Sequence, residues 1–169
     1  NGYALLYDAL ADEFVQRRQV VAAPFQGYYG PVAAGPRGNY FLVNGLVLNQ
    51  SLTPTANAGS TMVTIPGRGN VPPQQFNRPV SAVALAGTTL FALFMQPVVA
   101  AANVLVSEAP SLELVDVNTG QTVRSSPALE GPMSTQVGTA RVNVIGRGLA
   151  IDPSGTTAYA LTTSGLSMI

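Results

Sequence analysis

Gly148-Leu149-Ala150-Ile151-Asp152-Pro153-Ser154-Gly155-Thr156-Thr157-Ala158-Tyr159-Ala160-Leu161 carries the main clue to architecture. Two short apolar runs flank Asp152-Pro153-Ser154-Gly155. Proline presets φ at the second turn position, aspartate at the first can accept a backbone N–H two residues on, and glycine tolerates positive φ. Beyond the turn, small and large residues alternate from Ala158 to Leu161, the period of a strand. The stretch therefore predicts two antiparallel strands, the first of them short and small.

Two other stretches repeat that plan. Val32-Ala33-Ala34-Gly35-Pro36-Arg37-Gly38-Asn39-Tyr40-Phe41-Leu42-Val43 is one, and Ser81 to Leu93, with Gly87-Thr88-Thr89 at its turn, is the other. Each has a small apolar strand, a tight glycine turn, and a strand with an aromatic near its start. A strand close to a crowded axis must carry small side chains, whereas its hairpin partner can carry larger ones. The repeats begin 49 and then 67 residues apart. The longer interval calls for an insertion at residues 96–110.

Strand signals fill much of the remainder. Thr61 to Ile65 alternates before Pro66-Gly67. Leu112 to Val117 alternates apolar with acidic residues, and Asn118-Thr119-Gly120 then offers a turn to a return strand at Gln121-Thr122-Val123. Arg141 to Ile145 alternates as well. Residues 4–20 read two ways. Leu5, Leu6, Leu10, Phe14 and Val15 roughly follow helical spacing, yet Tyr3 to Tyr7 and Glu13 to Arg17 also read as a hairpin. The repeat favours the hairpin. Gly67 to Arg78, rich in Pro, Gln and Asn, reads as a loop.

The Asp-Pro-x-Gly turn followed by a tyrosine strand resembles the blades of bacterial YVTN- and NHL-like β-propeller repeats, and Leu112 to Val123 resembles the later half of such a blade. The resemblance implies an all-β fold of antiparallel blades. On that basis the chain is one repeat domain over residues 1–169. Residues 1–31 are a partial blade or a helical lead-in, 32–78 a blade, 79–130 a blade with the insertion at 96–110, and 131–169 a partial blade. About two whole and two half blades fall short of the roughly four that close a propeller, so an incomplete ring is expected. Residues 1–20 would then be outer strands without inner partners, and 157–169 inner strands without outer ones. Further residues of a parent chain, a second copy, or mutual pairing of the two ends would satisfy them.

Composition narrows the chemistry. The eight basic residues are all arginine, eight acidic residues balance them, and His, Cys, Lys and Trp are absent. Cys and His nucleophiles and bases, lysine Schiff bases, disulfides and Cys/His zinc sites are excluded. Zero net charge argues against a nucleic-acid partner. Only 9% of residues are charged, against about 25% in ordinary domains. Such a charge-poor, Gly-, Pro- and Thr-rich composition points to a secreted or cell-surface protein. From Pro79 to Ser107 there is no charge, but Gly87-Thr88-Thr89 and Gln96-Pro97 break the run below the length of a membrane span. It reads as buried strands and a loop.

Candidate sites are sparse. The Arg-Gly steps at Arg37, Arg68 and Arg147 could hold a carboxylate, phosphate or glycan, but turn chemistry, with glycine supplying backbone freedom and arginine solvated, is the favoured reading. Tyr28 and Tyr29, near Phe25, are a potential sugar-stacking platform, with buried loop packing as the alternative. Asp116-x-Asn118-x-Gly120 imitates a calcium loop, but its glycine is fifth and Pro127 stands where the terminal glutamate belongs, so a hairpin turn is expected. Asp8, Asp12 and Glu13 face Arg17 and Arg18 as a solvated charged cluster. Asn49-Gln50-Ser51 matches the glycosylation acceptor pattern. No metal, cofactor or catalytic residue is expected. The anticipated role is a non-catalytic binding or scaffold module with a protein or glycan partner. The alternative is a structural subunit of an extracellular filament or surface layer that associates through strands and apolar faces. Val83, Leu85, Leu90, Phe91, Leu93, Leu114, Ile151, Tyr159 and Leu161 are the expected core.

Overall fold

The structure is a computed structural model that describes residues 2–21, 32–43, 45–58, 62–65, 69–70, 72–77, 80–95, 109–131, 135–137, 140–142 and 148–169. It is an all-β protein made of several antiparallel sheets. Residues 2–21 form the hairpin, not a helix: β1 (Gly2–Asp8) pairs with β2 (Glu13–Val21). Alternation of Tyr3, Leu5 and Tyr7 with Ala4 and Leu6 suits a strand with two unlike faces.

The first large sheet is a meander of β3 (Val32–Ala34), β4 (Tyr40–Val43), β5 (Leu46–Asn49) and β6 (Pro54–Asn57). It ends well before residue 78. A separate hairpin follows, β7 (Met62–Ile65) with β8 (Gln74–Asn77). The second of these lies where the Gln- and Asn-rich composition indicated only loop, because cross-strand pairing overrides weak intrinsic strand preference.

The second meander comprises β9 (Val80–Ala86), β10 (Leu90–Met95), β11 (Ser111–Asp116) and β12 (Thr122–Pro127). The uncharged run thus supplies strands, and no helix among the described residues is long and apolar enough to cross a membrane. Most of the 96–110 insertion lies outside the described residues. A small hairpin, β13 (Thr135–Val137) with β14 (Ala140–Val142), precedes a three-stranded sheet of β15 (Leu149–Ile151), β16 (Ala158–Thr162) and β17 (Gly165–Met168). In all three repeats the small strand and the aromatic strand form a hairpin, as their sequences require.

The three larger sheets stack face to face, with β9–β12 in the middle. One of its faces packs Phe91, Leu93, Met95 and Val115 against Tyr40, Leu42 and Val47 of the first sheet. The other packs Ala92, Phe94 and Leu112 against Ala158 and Ala160 of the last. Because neighbouring residues of β10 point to opposite faces, Leu90 to Met95 reads as a continuous apolar run. Strand β9 lies against both β3 and β15, so the first strands of the three sheets are neighbours. Ala33 packs against the first of these two clusters and Ala82 lies within the second, and their small side chains suit that approach.

The expected core is partly realised. Phe91 and Leu93 are fully buried, and Val83, Leu85, Leu90, Leu114, Ile151 and Leu161 are half-buried. Tyr159 is a correction. At 38% exposure it points to the face of the last sheet opposite Ala158 and Ala160, where among the described residues no further sheet stacks.

Candidate functional site

The turns account for most of the described carboxylates. Asp116, at the end of β11, accepts hydrogen bonds from the amides of Asn118 (2.8 Å) and Thr119 (2.9 Å) and from the Thr119 hydroxyl. The Thr119 amide foremost holds its carboxyl below the usual range. Gly120 follows at φ +70°, and a Cβ there would lie 2.5 Å from the Asn57 carbonyl oxygen. The hairpin reading of this calcium-loop look-alike therefore matches the geometry, and the turn seats on the end of β6.

The Asp152-Pro153-Ser154-Gly155 turn uses its aspartate similarly. Asp152 Oδ1 accepts from the amides of Thr156 and Thr157 at 2.8 and 3.0 Å, and Oδ2 bonds Ser154. The Ser154 hydroxyl, then the Thr157 amide, pull its pKa down to about 2. Glu130 accepts from the hydroxyl and amide of Ser164 and the hydroxyl of Thr163, which ties the segment after β12 to the β16–β17 turn. Ser164 chiefly lowers its pKa. Glu113 is buried within β11 and accepts from the Thr122 hydroxyl at 2.9 Å. Among the described residues no group of three or more Asp or Glu side chains is placed to hold a metal.

Of the five candidate ligand-binding residues Arg37, Arg68, Arg147, Tyr28 and Tyr29, the structure describes one. Arg37 sits exposed in the 3-10 turn Pro36–Gly38 between β3 and β4. It adopts φ +55° itself, with Gly38 at +69°. Arg68, Arg147, Tyr28 and Tyr29 lie outside the described residues. Asn49 of the glycosylation pattern directs its side-chain oxygen to the amides of Ser51 and Thr53, 3.0 and 2.9 Å away.

The acidic cluster of the first hairpin is organised differently from its sequence reading. Asp8 caps the β1–β2 turn by accepting from the amides of Leu10 and Ala11. Asp12, at φ +56°, bonds the Tyr7 hydroxyl, and that bond raises the Tyr7 pKa. The Arg17 guanidinium lies 4.2 Å over the Tyr3 ring, and Gln16 and Arg18 reach the Ser51 carbonyl. These last contacts fix the hairpin to the loop after β5.

Two apolar features of this region stand out. The outward face of the hairpin presents Tyr3, Leu5, Tyr7 and Phe14, with Phe14 68% exposed and its ring centroid 5.2 Å from that of Tyr7. Beneath the hairpin, a cleft of about 670 Å³ opens between β1 and the sheet of β3–β6, with Leu5, Leu6, Val32, Phe41 and Val43 in its lining. The signal for the aromatic face was present in the spacing of Tyr3, Leu5 and Tyr7, but a strand pattern alone does not say which face lacks a cover.

No protein-family model, no curated protein and no solved structure matches the chain.

Proposed function

We propose that this protein is a non-catalytic binding or scaffold module, built of propeller-like blades and working outside the cell or at its surface. The exposed aromatic face of the first hairpin, held on a stack of sheets, carries this reading. Tyrosine and phenylalanine offer large contact area at low entropic cost, and Arg17 over Tyr3 adds a polar donor beside it. The blade reading draws on the Asp-Pro-Ser-Gly turn, the successive antiparallel meanders and the adjacency of β3, β9 and β15. The non-catalytic reading draws on the absence of His, Cys and Lys and on turn carboxylates whose lowered pKa suits fixed acceptors better than proton-transfer groups.

Glycan and peptide arrays test it, read with the wild-type chain and with a Tyr7→Ala, Phe14→Ala double variant. Binding that falls about tenfold or more in the variant, a loss of roughly 1.4 kcal/mol, supports the reading. Turnover of an ester, phosphate or glycoside substrate by the wild-type chain overturns it.

A second reading, a structural subunit of an extracellular assembly, is favoured by a different observation. Apolar sheet surface is exposed at both ends of the stack: at the first hairpin, and on the last sheet, where Leu166 is 70% and Met168 73% exposed.

A further inference from the structure

We propose that the cleft beneath the first hairpin receives the last sheet of a second copy of this chain. The β15–β17 sheet of one copy lies over β3 and β4 of the next, with its β17 edge beside the β1 edge. This inference rests on the assembly reading.

The cleft shows what its occupant must be. Its floor is the face of the first sheet opposite Leu42 and Val47, so the occupant stacks on Val32, Phe41 and Val43 as the middle sheet stacks on the other side. Its wall is β1, which ends its two-stranded sheet and, among the described residues, pairs with β2 alone. An unpaired strand edge offers N–H and C=O groups to another strand. No residue of the lining is charged. The occupant is therefore a sheet with an apolar face and an unpaired edge strand.

The last sheet has both attributes. Tyr159 pairs with Met168 and Leu161 with Leu166, so all four share one face. That face is the one turned away from the middle sheet. Strand β17 ends its sheet. Between Ala158 and Ile169 there is no charged residue. Neither surface repels the other, and the chain as a whole has zero net charge.

The contact also continues an arrangement that occurs twice within the chain. The first sheet stacks on the second, and the second on the third, with β3, β9 and β15 adjacent. One more step of the same kind brings the open face of β15–β17 onto the open face of β3–β4. The two surfaces differ, so the contact is head to tail and generates a ring or an open filament.

Light scattering on size-fractionated protein, from micromolar to millimolar concentration, tests the proposal with two variants at exposed positions. Leu166→Glu spoils the last sheet and Val32→Glu spoils the cleft. Circular dichroism checks that each retains its strands, and Met168→Glu with Val43→Glu, on the cleft floor beside Val32, replaces any variant that does not. The wild-type mass is expected to rise above 17.5 kDa with concentration. Each variant alone is expected to remain at the monomer mass, and an equimolar mixture to form a dimer of one of each. Self-association of either variant alone overturns the head-to-tail contact while leaving the assembly reading in place. A wild-type chain that stays monomeric throughout overturns both, and leaves the cleft to a different polypeptide.

Discussion

Strands β1 and β10 are similar on paper and opposite in the fold. Tyr3-Ala4-Leu5-Leu6-Tyr7 and Leu90-Phe91-Ala92-Leu93-Phe94-Met95 are both uncharged, apolar and aromatic-rich. Residues 91–95 are completely buried, whereas Leu5 is 55% exposed. Residue chemistry does not separate the two; their neighbours do. Strand β10 lies between β9 and β11 and has a sheet on each face, while β1 ends a two-stranded sheet beside an open cleft. Hydrophobic stabilisation scales with area removed from water, so the same composition contributes far more to the fold in one strand than in the other.

Truncating one aromatic in each region gives the largest expected contrast. Phe94→Ala should cost about 3–5 kcal/mol, as fully buried aromatics do. Phe14→Ala, on the exposed hairpin face, should stay within about 1 kcal/mol in the monomer. Denaturant unfolding of both variants measures this, and equal losses would break the contrast.

The glycine turns separate a seated turn from a free one. Gly120 and Gly87 both adopt positive φ, +70° and +83°. A side chain at 120 meets the Asn57 backbone, whereas nothing lies within 4 Å of a Cβ at 87. Gly87→Ala should cost only the left-handed penalty of about 1–2 kcal/mol. Gly120→Ala should cost more than that, because the turn must also lift away from β6. Thermal unfolding ranks the pair, and equal midpoints would mean that the β11–β12 turn is not seated on the first sheet.

A smaller effect belongs to the Asp152 turn of the last sheet. Its carboxyl titrates near pH 2 in the folded chain, against an ordinary 3.8. A depressed folded value means that the turn contributes stability above about pH 4 and loses it as pH falls from about 4 to about 2. Asp152→Asn should flatten stability across that window. Acid unfolding followed at β16 reads the difference, and identical acid limbs would show that the turn hydrogen bonds add nothing.

Much of the all-β character was legible because its signals are local. Asp152-Pro153-Ser154-Gly155 and Asp116-Val117-Asn118-Thr119-Gly120 each form the turn their chemistry dictates, and the small-strand, aromatic-strand pairs form hairpins. What was not legible depends on partners distant in sequence. Strand β8 forms from Gln74-Gln75-Phe76-Asn77 because β7 pairs with it. Tyr159 is exposed because its face of the last sheet is open. The aromatic face of the first hairpin was hidden by a second pattern in the same residues, where Asp8, Asp12, Glu13, Arg17 and Arg18 read as a charged cluster. In the fold Asp8 caps the turn, Asp12 bonds Tyr7, and Arg17 lies over Tyr3.

Amide hydrogen exchange on the dilute monomer tests most directly that the middle sheet is enclosed and both ends of the stack are open. The account predicts the strongest protection in β10 and β11, which have strands on both sides. It predicts rapid exchange at the outward amides of β1 and β17, which end their sheets. Strong, uniform protection across residues 160–169 in a proven monomer would contradict it, because the β17 edge would then already be paired within the chain.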